Sequence, residues 1–174
     1  MKVFITGIPG IGKTTAMLKL ASLLEREKID FAGFVTPDIR VKGKRIGFLI
    51  KDLKSGETKL FASKEKLKLE SPSAKFAGYW LDLEALESIA VPILESSAKI
   101  LLIDEIGKME LFSKRFKEAL LRVLKGDKII VATLHRKLVD EFRKYGEVIW
   151  LTLENRERIP VDLFNRISRL SRNT

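Results

Sequence analysis

Gly7-Ile8-Pro9-Gly10-Ile11-Gly12-Lys13-Thr14, close to the start of the chain, decides the fold. The stretch matches the pattern GxxxxGK[ST] at every position, and this pattern forms a phosphate-binding loop when a strand precedes it and a helix follows. Lys2–Thr6 is a short apolar, β-prone run, which predicts the strand. The context therefore favours a phosphate-binding loop over a glycine-rich turn. Apolar residues at helical spacing predict the helix: Ala16, Met17, Leu20, Leu23 and Leu24.

The chemistry of phosphate explains the spacing of this loop. Glycines let the backbone curl so that its N–H groups converge on an anion, and the following helix adds free N–H donors and its positive dipole end. Lys13 is predicted to contact the β- and γ-phosphates, and the Thr14 hydroxyl to bind Mg²⁺. Thr15 either donates to the α-phosphate or simply begins the helix. The predicted nucleotide-binding loop comprises Gly7, Ile8, Pro9, Gly10, Ile11, Gly12, Lys13, Thr14 and Thr15.

The composition is typical of a single globular domain, predicted over residues 1–174. Of the 174 residues, 45% are hydrophobic and 32% are charged, which is enough to build a sizeable core. The absence of cysteine excludes disulfides, thiolate catalysis and Cys-based zinc sites. No apolar run could span a membrane and no signal-peptide pattern precedes the first strand, so we expect a cytoplasmic monomer or weak oligomer. The lack of glutamine and the abundance of Lys, Arg and Glu fit a thermophilic source.

The segment after the first helix departs from simple strand–helix alternation. Phe31–Thr36 is predicted to form a strand that ends at Pro37. Short β-prone runs separated by turn signals follow, and they predict an antiparallel β-hairpin insertion at about residues 38–62. The region is basic: residues 38–75 hold eleven Lys and Arg against five Asp and Glu, so +6 of the formal +10 lies here.

The remaining chain alternates strands with helices. Asp82 is predicted to cap a helix whose apolar stripe contains Pro92, which should kink or divide it. Ser113 and Gly126 bracket another helix, and further strands and helices follow, ending with a short C-terminal helix. The pattern predicts an α/β fold with a mostly parallel central sheet, helices on both faces and the hairpin insertion.

Lys99-Ile100-Leu101-Leu102-Ile103-Asp104-Glu105 is the second informative stretch. Four consecutive apolar residues predict a buried parallel strand, and open α/β sheets bind ligands at the carboxyl ends of such strands. A strand that ends in an acid is a Walker B pattern, which gains force beside the Walker A pattern of the first loop. Asp104 is predicted to hold Mg²⁺, and Glu105 to orient and polarise the attacking water. A solvated carboxylate at the strand end is the alternative for Glu105.

The two carboxylates can act together only if the strand end is irregular. Side chains alternate along a strand, so Asp104 and Glu105 begin on opposite faces. We therefore expect the strand to bend after Asp104, and Gly107 is the residue expected to permit the bend.

Polar residues also follow the last two predicted strands. Thr133 ends one of them, where its hydroxyl could sense the γ-phosphate, and Arg136 could stabilise transferred charge. His135 is assigned no catalytic role, because a lone histidine is more often structural. Asn155 and Arg156 follow the last strand, where either a base-contacting loop or a plain surface turn would lie.

The chain resembles a small P-loop nucleoside-triphosphatase family that includes the cancer-related NTPase of animals and its archaeal and bacterial relatives. The run Asp104-Glu105-Ile106-Gly107-Lys108-Met109-Glu110-Leu111 carries the resemblance most specifically, since it is far longer than a generic Walker B pattern. The matches follow the family order over nearly the whole chain. The other matching runs are residues 7–15, Gly33-Phe34-Val35-Thr36-Pro37-Asp38-Ile39-Arg40, residues 43–48, residues 82–86 and Glu154-Asn155-Arg156.

The resemblance implies Mg²⁺-dependent hydrolysis of nucleoside triphosphates to diphosphates, with broad base tolerance. It also implies roles near the site for Arg40, Lys108 and Glu110. Relatives often have Val or Ile before the final polar turn, where this chain has Thr133-Leu134-His135-Arg136. Besides residues 7–15, the resemblance carries nucleotide binding onto the loop Ile103, Asp104, Glu105, Ile106, Gly107 and Lys108.

Two other functions compete with hydrolysis. A nucleotide or polynucleotide kinase would share the first loop, but such kinases commonly lack a carboxylate directly after the Walker B acid, so Glu105 argues against this function. A nucleic-acid-binding module switched by a nucleoside triphosphate would use the net charge of +10 and the basic insertion. No RNA-reading aromatic motif is present, and a solvated basic surface is the simpler interpretation.

Overall fold

The computed structural model describes residues 1–172, which form one mixed sheet with helices on both of its faces. The strands are β1 (Lys2–Thr6), β2 (Ala32–Val35), β3 (Asp38–Val41), β4 (Lys44–Asp52), β5 (Thr58–Ser63), β6 (Ala74–Phe76), β7 (Tyr79–Leu81), β8 (Ile100–Ile106), β9 (Ile129–Leu134) and β10 (Glu147–Trp150). The helices are α1 (Lys13–Arg26), α2 (Leu83–Glu95), α3 (Lys114–Lys125), α4 (Val139–Phe142) and α5 (Ile159–Arg172).

The sheet has a parallel half and an antiparallel half. Strand order is β10-β1-β9-β8-β2-β4-β5-β7-β6, and β3 pairs with β4 outside this path. The first five strands in this order are parallel to one another, so their carboxyl ends share one edge. The predicted α/β fold is confirmed. The insertion is longer than predicted. Strand β4 pairs directly with β2, and the strands β5, β7 and β6 then continue the same sheet beyond β4.

Apolar residues fill both sides of the sheet. Helices α1 and α5 cover one side, where Met17, Leu24 and Ile167 are fully buried. Helices α2, α3 and α4 cover the other, where Leu86 and Phe116 are fully buried. The inner parallel strands β1, β2, β8 and β9 are thus buried on both faces, which explains their continuous apolar runs. No helix within residues 1–172 is long and apolar enough to cross a membrane.

Side-chain caps lie at the helix starts that the polar residues predicted. The Asp82 carboxylate accepts a 2.8 Å hydrogen bond from the Ala85 N–H at the start of α2. The Ser113 hydroxyl accepts a 3.0 Å hydrogen bond from the Phe116 N–H at the start of α3. Gly126 ends α3 with φ −86°, so this cap does not use the left-handed conformation that glycine allows.

Two helix predictions need comment. Pro92 does not divide α2, which is one helix from Leu83 to Glu95, and the alternative that Pro92 kinks the helix stays a prediction. Ile93 and Leu94 are buried beyond the proline, so packing of the last turn outweighs the cost of about 3 kcal/mol that proline imposes on a helix interior. The C-terminal helix α5 is not short, since it continues to Arg172 with Ile159, Leu163 and Ile167 buried along one face.

Candidate active site

The site lies at the edge where the parallel strands end. The phosphate-binding loop leaves β1 there, Thr133 lies near the end of the adjoining β9, and Asp104 lies near the end of β8, which is the next strand after β9. Thr36 follows β2 at the same edge. The strand order therefore gathers residues from four parts of the sequence, at the place where open α/β sheets bind ligands.

The loop from Gly7 to Gly12 has the backbone that the motif requires. Gly10 has φ 79° and Gly12 has φ 108°, in the left-handed region where a side chain would be strained. Helix α1 begins at Lys13, so the N–H groups of its first turn lack partners within the helix and face the loop end. Lys13 Nζ lies 3.4 Å from the Gly7 carbonyl oxygen, which places the ammonium group beside the loop.

Asp104 is the centre of the hydrogen-bond network. Its side chain is buried, and Oδ2 accepts a 2.9 Å hydrogen bond from the Thr14 hydroxyl. Oδ1 accepts a 2.5 Å hydrogen bond from the Thr133 hydroxyl, and the Asp104 carbonyl oxygen accepts a 3.0 Å bond from the Thr36 hydroxyl. Burial raises the pKa of Asp104, while the Thr133 and Thr14 hydroxyls, a backbone hydrogen bond from Thr36 and the charge of Lys13 oppose the rise.

The residues around Asp104 fit a Mg²⁺ ion. Thr14 and Asp104 offer two hard oxygen ligands, and the 2.9 Å between them matches neighbouring ligands of an octahedral ion with bonds of about 2.0–2.1 Å. No cluster of three His, Cys, Asp or Glu able to hold a metal occurs in the described part of the chain. Proteins bind Mg²⁺ through one or two carboxylates, and phosphate and water complete its coordination shell.

Glu105 and Glu110 form a second pair of acids next to Asp104. Burial raises the pKa of Glu105 to about 7, with a further contribution from the Asp104 charge, while Lys13 and Arg45 oppose it. Burial raises the pKa of Glu110 to about 8, and the Glu105 charge adds to the effect. The pKa of the Glu105 carboxylate is therefore close to neutral pH, as a general base requires.

Gly107 makes room for these acids. A Cβ atom at this position would lie 2.6 Å from Glu110 Oε2 and 3.4 Å from Glu105 Oε1. Strand β8 is irregular as expected, since its pairing with β9 shifts between Ile103 and Ile106. Gly107 has no left-handed φ, so the structure requires glycine here for space rather than for a bend.

The other residues predicted at the site have varied surroundings. Ile103 and Ile106 are buried in the core, so any contact with a nucleotide there involves backbone atoms. Lys108 and Arg136 are exposed. Burial lowers the pKa of His135, and the charges of Lys13, Lys137, Lys108 and Arg136 lower it further. His135 Nδ1 accepts a 3.3 Å hydrogen bond from the Lys137 N–H, which gives His135 a capping role.

The loop after β10 is held together by one side chain. Asn155 Oδ1 accepts a 2.8 Å hydrogen bond from the Thr152 N–H, and Nδ2 donates a 2.9 Å bond to the Trp150 carbonyl oxygen. The Arg156 side chain is largely exposed, 3.7 Å from Glu157. The polar groups of Asn155 are thus used within the loop itself.

Sequence analysis missed Thr36 and Arg45. Thr36 follows a parallel strand, so the rule that ligands gather at the carboxyl ends of such strands could have identified it. Arg45 lies on β4, within the basic insertion, and no sequence signal separates it from the neighbouring cations.

Comparison with known proteins agrees with this geometry. The model of the NTPase family matches residues 2–164. The nucleoside-triphosphatase THEP1 of Methanocaldococcus jannaschii is 39% identical over 170 residues, which cover 96% of this chain and 97% of the relative. The THEP1 of Pyrococcus abyssi is 37% identical over 173 residues, covering 98% and 94% respectively.

Two solved structures have the same fold. The crystal structure of THEP1 from the hyperthermophile Aquifex aeolicus superposes with a TM-score of 0.78 at 35% identity, covering 94% of this chain and 96% of that one. The solution structure of a human cancer-related nucleoside triphosphatase superposes with a TM-score of 0.75 at 34% identity, covering 95% and 96%. With near-complete coverage, an intact phosphate-binding loop and a buried acid beside it, the chain belongs to the NTPase family.

Proposed function

We propose that this chain hydrolyses nucleoside triphosphates, ATP and GTP among them, to the diphosphate and inorganic phosphate in a Mg²⁺-dependent reaction. One observation carries the proposal: the buried Asp104 carboxylate is held by the Thr14 and Thr133 hydroxyls, and Glu105 follows it directly. A metal-binding acid followed by a basic carboxylate is the arrangement that hydrolysis by water needs.

Each residue of the site has a defined task in this reaction. The loop N–H groups and Lys13 bind the β- and γ-phosphates and hold them in place for attack. Thr14 and Asp104 are the residues that would hold Mg²⁺, which when bound supplies positive charge beside the phosphate oxygens. Thr133 and Thr36 orient Asp104 through its side-chain and backbone oxygens.

Glu105 acts on the water molecule. The water oxygen bonds to the γ-phosphorus, the bond to the bridging oxygen breaks with its electron pair left on the diphosphate, and the water proton passes to Glu105. A pKa of about 7 leaves much of Glu105 ionised at neutral pH and able to accept that proton. Glu110 also lies against Gly107, but its burial raises its pKa to about 8 and keeps it largely protonated, so it does not serve as a second base.

Broad base tolerance agrees with the loop after β10. Asn155 uses its amide within the loop, and the exposed side chains there include the apolar Trp150 and Leu153. Such a surface holds a base by packing rather than by reading its hydrogen-bonding edge.

Phosphate release tests the proposal. Purified protein is incubated with MgCl₂ and each common nucleoside triphosphate, without an acceptor, and free phosphate is measured. Wild-type protein should release phosphate from all of them, Lys13→Ala should lose most activity and bind nucleotide more weakly, and the surface variant Lys125→Ala should match wild type. Turnover that requires an added hydroxyl acceptor would contradict hydrolysis and support a kinase.

A further inference from the structure

The β3–β4 hairpin is tied to the metal-binding strand end. Thr36, whose hydroxyl bonds the Asp104 carbonyl oxygen at 3.0 Å, lies two residues before β3 begins at Asp38. The Pro37 carbonyl oxygen accepts a 3.0 Å hydrogen bond from the Leu49 N–H of β4. The base of the hairpin is therefore anchored beside Asp104, and side chains near it are within reach of a bound γ-phosphate.

One carboxylate of this hairpin holds two arginines. Asp38 Oδ2 accepts a 2.8 Å hydrogen bond from Arg45 Nε. The same oxygen accepts a 2.9 Å hydrogen bond from Arg40 Nε and lies 2.9 Å from Arg40 Nη2. Asp38 thus fixes the direction of both guanidinium groups.

The two guanidinium groups differ in what remains free. Arg40 also donates from Nη1 to the Gly43 carbonyl oxygen at 3.1 Å, so its nitrogens are spent on the hairpin itself. Arg45 donates from Nε to Asp38, and the structure shows no hydrogen bond from its two terminal nitrogens to any residue of the described range 1–172. The Phe48 ring, 5.2 Å from Arg45 Cζ, gives the guanidinium group a second support.

The carboxylate that holds Arg45 lies close to the strand end that carries Asp104. Asp38 follows Thr36 by two residues, and the Thr36 hydroxyl bonds the Asp104 carbonyl oxygen. Arg136, by contrast, is exposed; its carbonyl oxygen accepts a hydrogen bond from the Val139 N–H, but its side chain has no hydrogen bond or ion pair within residues 1–172. Arg45 is therefore the arginine whose guanidinium group Asp38 and Phe48 position near the hairpin base, which Thr36 joins to Asp104.

We propose that Arg45 is a catalytic residue that binds the γ-phosphate oxygens through its two terminal nitrogens, and that Asp38 is its positioning residue. This inference rests on the proposed hydrolysis and names the group that neutralises charge on the transferred phosphoryl. As the water oxygen bonds to phosphorus and the bridging oxygen leaves with the electron pair, negative charge spreads over the oxygens that Arg45 contacts. An arginine supplied by the same chain performs this task in other phosphate-transferring enzymes.

The test separates transition-state binding from ground-state binding. Arg45→Ala, Arg45→Lys, Asp38→Asn, Asp38→Glu and the matched control Lys51→Ala, which removes a charge from the same strand, are compared with wild type. The readouts are kcat, KM, and affinity for ADP with MgCl₂, measured with and without aluminium fluoride as a mimic of the transferred phosphoryl.

Arg45→Ala should lower kcat by on the order of 10³-fold. It should also abolish most of the affinity gained with aluminium fluoride, while ADP alone binds as in wild type, which shows that the variant is folded. Arg45→Lys should recover little, because a lysine lacks the planar fork that two oxygens require. Asp38→Asn should lower kcat with KM unchanged, Asp38→Glu should restore part of kcat, and Lys51→Ala should match wild type.

Two results would overturn the inference, and a third lies outside it. If Arg45→Ala keeps kcat within about tenfold of wild type, or keeps the full aluminium fluoride effect, Arg45 does not contact the transferred group. If Arg45→Ala fails to bind ADP, Arg45→Lys decides the matter, and wild-type kcat in that variant rejects the role of the guanidinium fork. If wild-type protein releases no phosphate, the proposed hydrolysis fails rather than the assignment of Arg45 within it.

Discussion

The Thr133 hydroxyl donates a 2.5 Å hydrogen bond to Oδ1 of Asp104, which joins the ends of the neighbouring strands β9 and β8. Both residues are buried, so this bond replaces solvent for one oxygen of the carboxylate while Thr14 serves the other. We predict that Thr133→Val, which keeps the shape and removes the donor, costs about 1–3 kcal/mol of unfolding free energy in urea. Mg²⁺-dependent nucleotide affinity should fall as well, and Thr133→Ser should restore both quantities. Unchanged stability in Thr133→Val would contradict the importance of this bond.

The variant Glu105→Gln distinguishes the roles of the two acids of β8. The amide keeps the shape of the side chain but cannot accept the water proton, so kcat should fall by on the order of 10²-fold or more while nucleotide affinity stays close to wild type. Asp104→Asn should instead weaken Mg²⁺-dependent binding together with turnover. Both effects are measured by phosphate release and by titration of nucleotide with and without MgCl₂. Normal hydrolysis by Glu105→Gln would make Glu105 a bystander and would favour the kinase alternative.

Gly107→Ala tests the space between the acids. The added Cβ would lie 2.6 Å from Glu110 Oε2, so the Glu110 or Glu105 carboxylate must move. We expect a loss of roughly 1–3 kcal/mol in unfolding free energy, typical of overpacking, together with a lower kcat. Gly126→Ala is the matched control, because its new Cβ would meet nothing closer than 3.6 Å. Equal behaviour of the two variants would show that the acids tolerate the displacement.

The buried acid Glu110 should make the fold less stable as the pH rises. Its pKa is about 8 in the folded protein, against an ordinary value of 4.5 for an exposed glutamate, so the folded protein retains a proton that the unfolded chain releases. The contribution of this proton to the unfolding free energy is fully present below about pH 4.5. It declines as the pH rises towards 8, by up to about 1.4 kcal/mol for each unit of the pKa difference. Glu110→Gln should flatten this decline between about pH 5 and pH 9 in urea unfolding, the range that the linkage relation defines. The surface variant Glu118→Gln should keep the wild-type slope, and an equal slope in Glu110→Gln would refute the assignment.

Asn155→Ala tests how the base is held. The substitution removes two hydrogen bonds that tie Thr152 and Trp150 together, so the loop after β10 should loosen. We predict that KM rises by a similar factor for ATP and GTP, because packing against a loop does not read the edge of a base. Arg156→Ala provides a comparison in which the loop hydrogen bonds remain. A sharp loss for only one nucleotide in either variant would show base discrimination at this loop.

Local sequence identified the parts of the site whose function depends on neighbours along the chain. The spacing of Gly7, Gly12 and Lys13 specifies a curled backbone followed at once by a helix, because glycine conformations and helix ends are local properties. The apolar run before Asp104 predicted a buried strand for a similarly local reason. The caps at Asp82 and Ser113 were predictable because each one joins residues three apart.

Only the tertiary structure decided which distant residues meet Asp104 and how Asp38 holds the two arginines of the hairpin. Thr36 and Thr133 reach Asp104 because the strand order β9-β8-β2 places their ends side by side, and periodicity within one strand carries no information about its neighbours. The same limit applies to Arg40 and Arg45, which are alike in sequence but differ in how many of their nitrogens the hairpin consumes. Sequence alone thus specified the residues that the chemistry needs locally. Pairing between strands far apart in the chain determined the partners of those residues, because the hydrogen bonds between them exist only after the sheet has formed.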